Sequence, residues 1–210
     1  MIHFLINMEG LHEIEAALGK AKDKSKVVLR KAINDAAKEV EKRMAKGASK
    51  RYARNESGMR PYRDVTTISK AKVGNLAAVI RVTDRPSELY DYTLNDRTYY
   101  PGSKGAPRWI KGKQLKTGRL LKLAARPNAG RDKYKAFVVE YPVPGGGKHR
   151  AIAERVPGSH MADNPNKEKI RSLYGTSKPK AEEYVFKQDI EADIQDMLIR
   201  NIQLQIDRFL

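Results

Sequence analysis

Metal-dependent phosphodiester cleavage needs clustered carboxylates to hold its ions, so in a basic chain the acids are the first residues to inspect. None of the 25 acidic residues has a lysine two positions later, the spacing that restriction-type nucleases place on a strand. Asp84, Glu88, Asp91 and Asp96 lie close together in sequence, a grouping that surface turns also produce. The four histidines, His3, His12, His149 and His160, show neither H-x-x-x-H nor H-E-x-x-H spacing, so structural roles are expected of them. Gly145-Gly146-Gly147-Lys148 invites comparison with a phosphate-binding loop. The first glycine of G-x-x-x-x-G-K would fall on Pro142, however, and no Ser or Thr follows the lysine, so a hairpin turn explains the run better. A G-x-S-x-G nucleophile elbow is absent, and without cysteine there is no disulfide framework, thiolate nucleophile or Cys-type zinc site. These residues point to no enzyme and call for no cofactor.

The chemistry that remains is positive charge. The 210 residues carry 42 Lys plus Arg against 25 Asp plus Glu, a formal net charge of +17. Residues 20–63 hold +10 and residues 101–135 another +10, whereas 181–210 sum to −4. Two basic blocks and an acidic end favour attraction to a polyanion and self-association of unlike surfaces, set against the plainer reading of a solvated exterior. In the second block Lys104, Arg108, Lys111, Lys113, Lys116, Arg119, Lys122 and Arg126 stand two to four apart with Trp109 among them. That pattern suits phosphate contacts with an aromatic ring available for stacking. It fits equally an arm ordered against a neighbouring protein subunit. No zinc-finger or RNP-type signature accompanies it, so sequence-specific readout is not expected.

The elements that must position these residues follow from periodicity. Residues His3 to Asn7 read as a strand and Gly10 to Leu18 as a short helix stopped by Gly19. From Ser25 to Tyr52, Leu29, Ile33, Ala36, Val40, Met44 and Ala48 draw one apolar stripe, opposite a face with Arg30, Lys31, Lys38, Glu41, Lys42, Lys46 and Lys50. Asn55 to Arg63 reads as a loop. Val65–Ser69 and Leu76–Thr83 form a hairpin about the Gly74-Asn75 turn, and 88–100, with four tyrosines, reads as an edge strand or packing loop. Residues 101–135 lack periodicity and read as a mobile basic loop. Ala136–Val143 and Arg150–Val156 flank the glycine-rich turn as a second hairpin, and PGSHMADNPN follows as a loop. After Pro179, a helix carries Ile190, Ile194, Leu198, Ile202 and Ile206 every fourth position, with Val185, Met197 and Phe209 widening the stripe.

The fold class expected is α+β: an antiparallel sheet packed by two long amphipathic helices, N-terminal and C-terminal, in a single domain over 1–210 with 97–135 as a basic loop or arm. Leu29, Ile33, Val40, Met44, Ile190, Ile194 and Leu198 are expected to carry the core. No stretch approaches the roughly 18 uncharged apolar residues of a membrane-spanning helix. The opening MIHFLINMEGLHEI carries acids where a signal peptide carries bases, and is read as retained structure.

The order of segments resembles the minor tail protein Z (tail completion) family of tailed bacteriophages. The likeness lies in the opening strand, the Gly-Leu helix, the long helix with Ala32-Ile33-Asn34 and its Arg51-Tyr52 end. It resumes at NLAAVIRV and AFVVEYPVPGGGKHRAIAERV and is most specific at IRSLYGTSKP, whose Leu173-Tyr174-Gly175 matches the family motif with Thr176 where proline is common. Residues 97–135 match only in being basic and glycine-containing. The resemblance implies a virion structural protein, made in the host cytoplasm, that completes the tail and helps form the head–tail joint without catalysis. It further implies a homo-oligomeric ring, taken as sixfold, around the DNA channel beside the tail terminator and head connector. The basic arm then meets either neighbouring subunits or DNA without sequence preference. Outside that family, the same residues read as a stand-alone basic nucleic-acid-binding module.

Overall fold

The long helix α2 (Ser25–Arg51) shows how sequence pattern becomes structure in this chain. Every residue of its apolar stripe, Leu29, Ile33, Ala36, Val40, Met44 and Ala48, is buried, while Lys31, Lys38, Lys42, Lys46 and Lys50 are exposed. Glu41, expected on the charged face, is buried instead, because Arg63 reaches it at 2.7 Å. A computed structural model describes residues 2–5, 9–101, 104–105, 107, 109–118, 121–124 and 136–208. The fold is α+β, with helices in the N- and C-terminal regions and antiparallel pairing in all three sheets. It divides into two compact units, one made of Met1–Ser49, Gly58–Asp84 and Lys178–Leu210, the other of Lys50–Ser57 and Arg85–Ser177.

The first unit holds β1 (Ile2–Leu5), α1 (Glu9–Leu18), most of α2, α3 (Arg60–Arg63), β2 (Thr66–Ser69), β3 (Ala77–Val82), α4 (Lys178–Asp189) and α5 (Ile194–Ile206). Its sheet runs β1-β3-β2, with Ile80 opposite both Ile2 and Ile68. The loop expected over 55–63 contains the short helix α3, with a proline in its first turn. Asn34, in the family-like Ala-x-Asn element, exchanges two hydrogen bonds with the backbone of Ala71: its amide donates to the carbonyl at 3.2 Å and its oxygen accepts the N–H at 2.8 Å. That pairing ties α2 to the turn beyond β2. Ile14, Leu18, Val28, Leu29 and Ile206 form one buried cluster, against which Leu76 and Ile202 pack.

The C-terminal helix expected after Pro179 is broken. Helix α4 ends at Asp189, a 3₁₀ turn covers Glu191–Asp193, and α5 begins at Ile194. A 3₁₀ turn advances each residue by about 120° rather than about 100°, which moves the apolar line around the axis. Ile190 is buried as expected, but Ile194 and Leu198 are only half-buried, and the fully buried line of α5 is Met197, Asn201, Gln205 and Ile206. Phe209 lies outside the described residues. Arg200 bridges to Glu39 at 2.9 Å, and Arg43 to Asp193 at 2.8 Å. Gln205 donates to Asp35 at 2.9 Å, so polar as well as apolar contacts seat α5 beside α2.

Glu182, on α4, is buried beside a cavity of about 560 Å³ lined also by Met44, Ile80 and Phe186. Burial drives its carboxyl up to about 8, against a smaller lowering by Thr66 and with a further rise from the nearby Glu41. The Thr66 hydroxyl lies 3.2 Å from Glu182 Oε2 and 3.0 Å from the Tyr62 carbonyl. The Thr66 hydroxyl has one proton to share between these two acceptors and Glu182 Oε1 is buried without a hydrogen-bond partner, so little compensates a buried carboxylate and the neutral acid is favoured.

The second unit holds β4 (Thr93–Leu94), β5 (Trp109–Lys113) and β6 (Leu121–Ala124) in one sheet, and β7 (Ala136–Pro142), β8 (Lys148–His160) and β9 (Glu168–Ser172) in another. The hairpin β7–β8 matches its sequence signal. Gly145, Gly146 and Gly147 have φ of 91°, 84° and 111°, left-handed backbone that favours glycine. Three strands escaped the sequence reading, β5 and β6 within the segment expected as an arm and β9, and the expected loop at PGSHMADNPN is partly the end of β8.

Candidate polyanion and assembly surfaces

Strand β5 explains how part of the second basic block is displayed. Ile110 and Gly112 are buried while Lys111 and Lys113 are exposed, the alternation of a half-buried strand. A Cβ on Gly112 would stand 2.7 Å from Leu94 Cδ2 and 3.2 Å from the Thr93 carbonyl, so a side chain there would have to push Leu94 aside where β5 lies against β4. Lys122 of β6 occupies the register position directly opposite Lys111. Lys104 and Lys116 are exposed, and the Lys116 N–H bonds the Arg51 carbonyl at 2.9 Å. Arg108, Arg119 and Arg126 lie outside the described residues, as do the side chains of Trp109 and Lys122.

A second cationic feature of this unit went unread in the sequence, because its parts come from distant segments. Arg85, Arg97, Lys148 and Arg150, with His149, Tyr90, Asn55, Glu56 and Asp91, line a cleft of about 500 Å³. The Arg97 guanidinium lies 3.9 Å over the Tyr90 ring and donates to the Tyr92 carbonyl at 3.1 Å. Lys148 and Arg150 each reach one oxygen of Glu140 at 2.8 Å, and together they hold that carboxyl below the usual range. His149 meets Glu88 at 2.8 Å, and its ring lies 5.0 Å from that of Tyr141.

The acids that first invited a metal site are committed elsewhere. Asp84 faces Lys178 at 3.4 Å, Glu88 holds His149, Asp91 lies 3.5 Å from Arg54, and Asp96 accepts from the Thr98 N–H and the Tyr100 hydroxyl. Among the described residues no group of three or more potential ligands is arranged to hold a metal ion. No described helix is long and apolar enough to cross a membrane.

Comparisons with protein-family models, curated proteins and solved structures find no match. The Leu173-Tyr174-Gly175 motif is therefore read on its geometry alone. Its backbone is locked: Leu173 N–H bonds Ile152, Leu173 C=O takes the Leu89 N–H, both at 2.7 Å, and Gly175 N–H bonds Ser87 at 2.9 Å. The buried ring of Tyr92 lies against Gly175, where a Cβ would come within 2.5 Å of its Cε2, and the Tyr92 hydroxyl bonds the Thr176 carbonyl. Burial raises the Tyr92 phenol above its ordinary value, partly offset by Arg54. Arg54 itself donates to Ser87 Oγ at 2.8 Å beneath this strap. Leu173 and Gly175 are thus architectural, whereas Tyr174 is left 59% exposed. Tyr99, Tyr141 and Ile170 are also exposed and line one groove along the edge strand β7, together with Phe137 and Val139.

Proposed function

We propose that the chain is a virion structural protein of a tailed bacteriophage, a tail-completion or neck protein that helps form the head–tail joint around the DNA channel. The observation that carries this reading is the Leu173-Tyr174-Gly175 strap, the most family-like segment, whose backbone is fixed while Tyr174 stands 59% exposed. An exposed aromatic on a rigid support is the kind of group protein interfaces bury. Two further features support assembly over catalysis: the apolar groove beside edge strand β7, and the exposed Ile199 and Leu204 on α5. In this reading α2 and the C-terminal pair α4–α5 are the two amphipathic helices, 97–135 is the assembly arm, and identical subunits close into a ring, taken as sixfold, against the tail terminator and head connector. Cryo-electron microscopy of phage particles carrying this protein tests it. Ring density at the head–tail joint with Tyr174 in a subunit contact is expected, and absence of the protein from purified particles would overturn the reading.

The second reading, a stand-alone nucleic-acid-binding module, draws on the exposed Lys111 and Lys113 of β5. Its mark is DNA affinity that falls steeply with salt, as each neutralised phosphate releases counterions. Absent or salt-insensitive binding removes it.

A further inference from the structure

The cleft between the 85–97 segment and the β7–β8 hairpin has more cationic than acidic side chains in its lining. Four cations, Arg85, Arg97, Lys148 and Arg150, line it against two acids, Glu56 and Asp91. Asp91 is held from behind by Arg54, and just outside the lining Glu140 is shared by Lys148 and Arg150, two cations on one carboxylate. Arg97 is fixed by the Tyr90 ring beneath it and the Tyr92 carbonyl beside it, neither of which is an anion. Tyr90 also donates to the Arg97 carbonyl at 3.2 Å, so ring face and hydroxyl together fix Arg97. Ordered guanidinium forks suit the several oxygens of a phosphate better than a lone carboxylate does. The volume, about 500 Å³, falls in the range of small-molecule sites, with room for more than a bare phosphate.

We propose that this cleft is a phosphate-binding site, in which Arg97, held by Tyr90, together with Arg150 and Lys148 grips the oxygens of a phosphate monoester or of a nucleic-acid phosphodiester. It is separate from the Lys111–Lys113 face of β5 and does not rest on the tail-completion reading. Binding requires no proton transfer and no metal, only exchange of water for phosphate oxygens.

The test is a titration of the full chain with inorganic phosphate, followed by amide NMR shifts, with a short single-stranded oligonucleotide and a nucleoside monophosphate as competitors. Saturable shifts confined to residues around 90–97 and 148–150 are expected. Arg97→Gln should weaken phosphate binding about tenfold or more, and Lys148→Gln, at the exposed start of β8, by less. Lys111→Gln combined with Lys113→Gln should leave phosphate binding within about twofold of wild type. If the oligonucleotide displaces phosphate far better than the mononucleotide, the natural ligand is a polynucleotide; if the mononucleotide matches it, the ligand is a small phosphate. Absence of saturable shifts at low ionic strength would overturn the proposal. So would unchanged affinity in folded Arg97→Gln and Lys148→Gln variants.

Discussion

Helix α2 and the C-terminal pair α4–α5 carry the same sequence signal, an apolar residue at almost every fourth position, and the fold treats them differently. In α2 the marked residues are the buried ones. In α5 the buried line falls on Met197, Asn201 and Gln205, while Ile194, Leu198 and Ile202 are half-buried and Ile199 and Leu204 are exposed. A stripe fixes a buried face only while the helix keeps its phase. The 27 residues of α2 run without a break, whereas the turn at Glu191–Asp193 shifts the phase between α4 and α5. The consequence is a helix that buries two amides beside Met197 and Ile206 and leaves Ile199 and Leu204 outward. Its Asn201 Nδ2 and Gln205 Oε1 are buried without hydrogen-bond partners.

The largest test of that contrast is a pair of truncations. Ile33→Ala, in the unbroken stripe, should cost about 2–5 kcal/mol, whereas Leu198→Ala, half-buried on α5, should cost about 1 kcal/mol. Urea unfolding midpoints of the two variants decide it, and equal losses would mean that the phase shift has no energetic meaning.

Next in size is Glu182, the acid that α4 buries. Its folded-state value of about 8 lies above the 4.5 of the unfolded chain, so between these the native state holds a proton that the unfolded state has released. That stabilising proton is fully retained below about pH 4.5 and lost as pH rises through about 8, so stability should fall across this window, by an amount on the order of a few kcal/mol. Glu182→Gln mimics the neutral acid. It should match wild type near pH 5, exceed it near pH 8 and flatten the slope between them, as read by unfolding midpoints at each pH.

A smaller effect probes where α2 and α4 touch. A Cβ at Gly47 would stand 2.5 Å from Val185 Cγ1, on a short branched side chain with little room to turn away. Gly47→Ala gains about 1 kcal/mol of helix preference but overpacks the contact at about 1–3 kcal/mol, so a net loss of about 1 kcal/mol is expected in thermal unfolding. A stabilised variant would show that the two helices give way easily there.

These tests also mark where sequence was informative. Helix α2, the hairpin β2–β3 and the glycine-turned hairpin β7–β8 are legible because each rests on contacts among neighbours in sequence: a stripe, a two-residue turn, three glycines at positive φ. Strand β5, WIKGK, alternates over only five residues, three of them polar or glycine, so its basic composition outweighs its period. Strand β9 lies in EKIRS, where charge again hides alternation. The exposure of Lys111 and Lys113 follows from their type, but the cleft does not, since Arg85, Arg97, Lys148 and Arg150 meet only after two distant segments fold together. Tyr90, seven residues before Arg97, gave no periodic cue that the two would stack.

The smallest change in stability, and the sharpest statement about assembly, comes from the outward face of α5. Ile199 is 59% and Leu204 49% exposed, so replacing both with serine removes little buried area and should alter unfolding by no more than about 0.5 kcal/mol. If those side chains are a subunit contact, the same double variant should shift the wild-type chain from oligomer to monomer in sedimentation velocity, because an apolar patch costs nothing to keep exposed only when a partner covers it. Loss of stability without loss of association would place the two residues inside the first unit's own packing. Unchanged association with unchanged stability would clear α5 and move the proposed subunit contact to the groove beside β7.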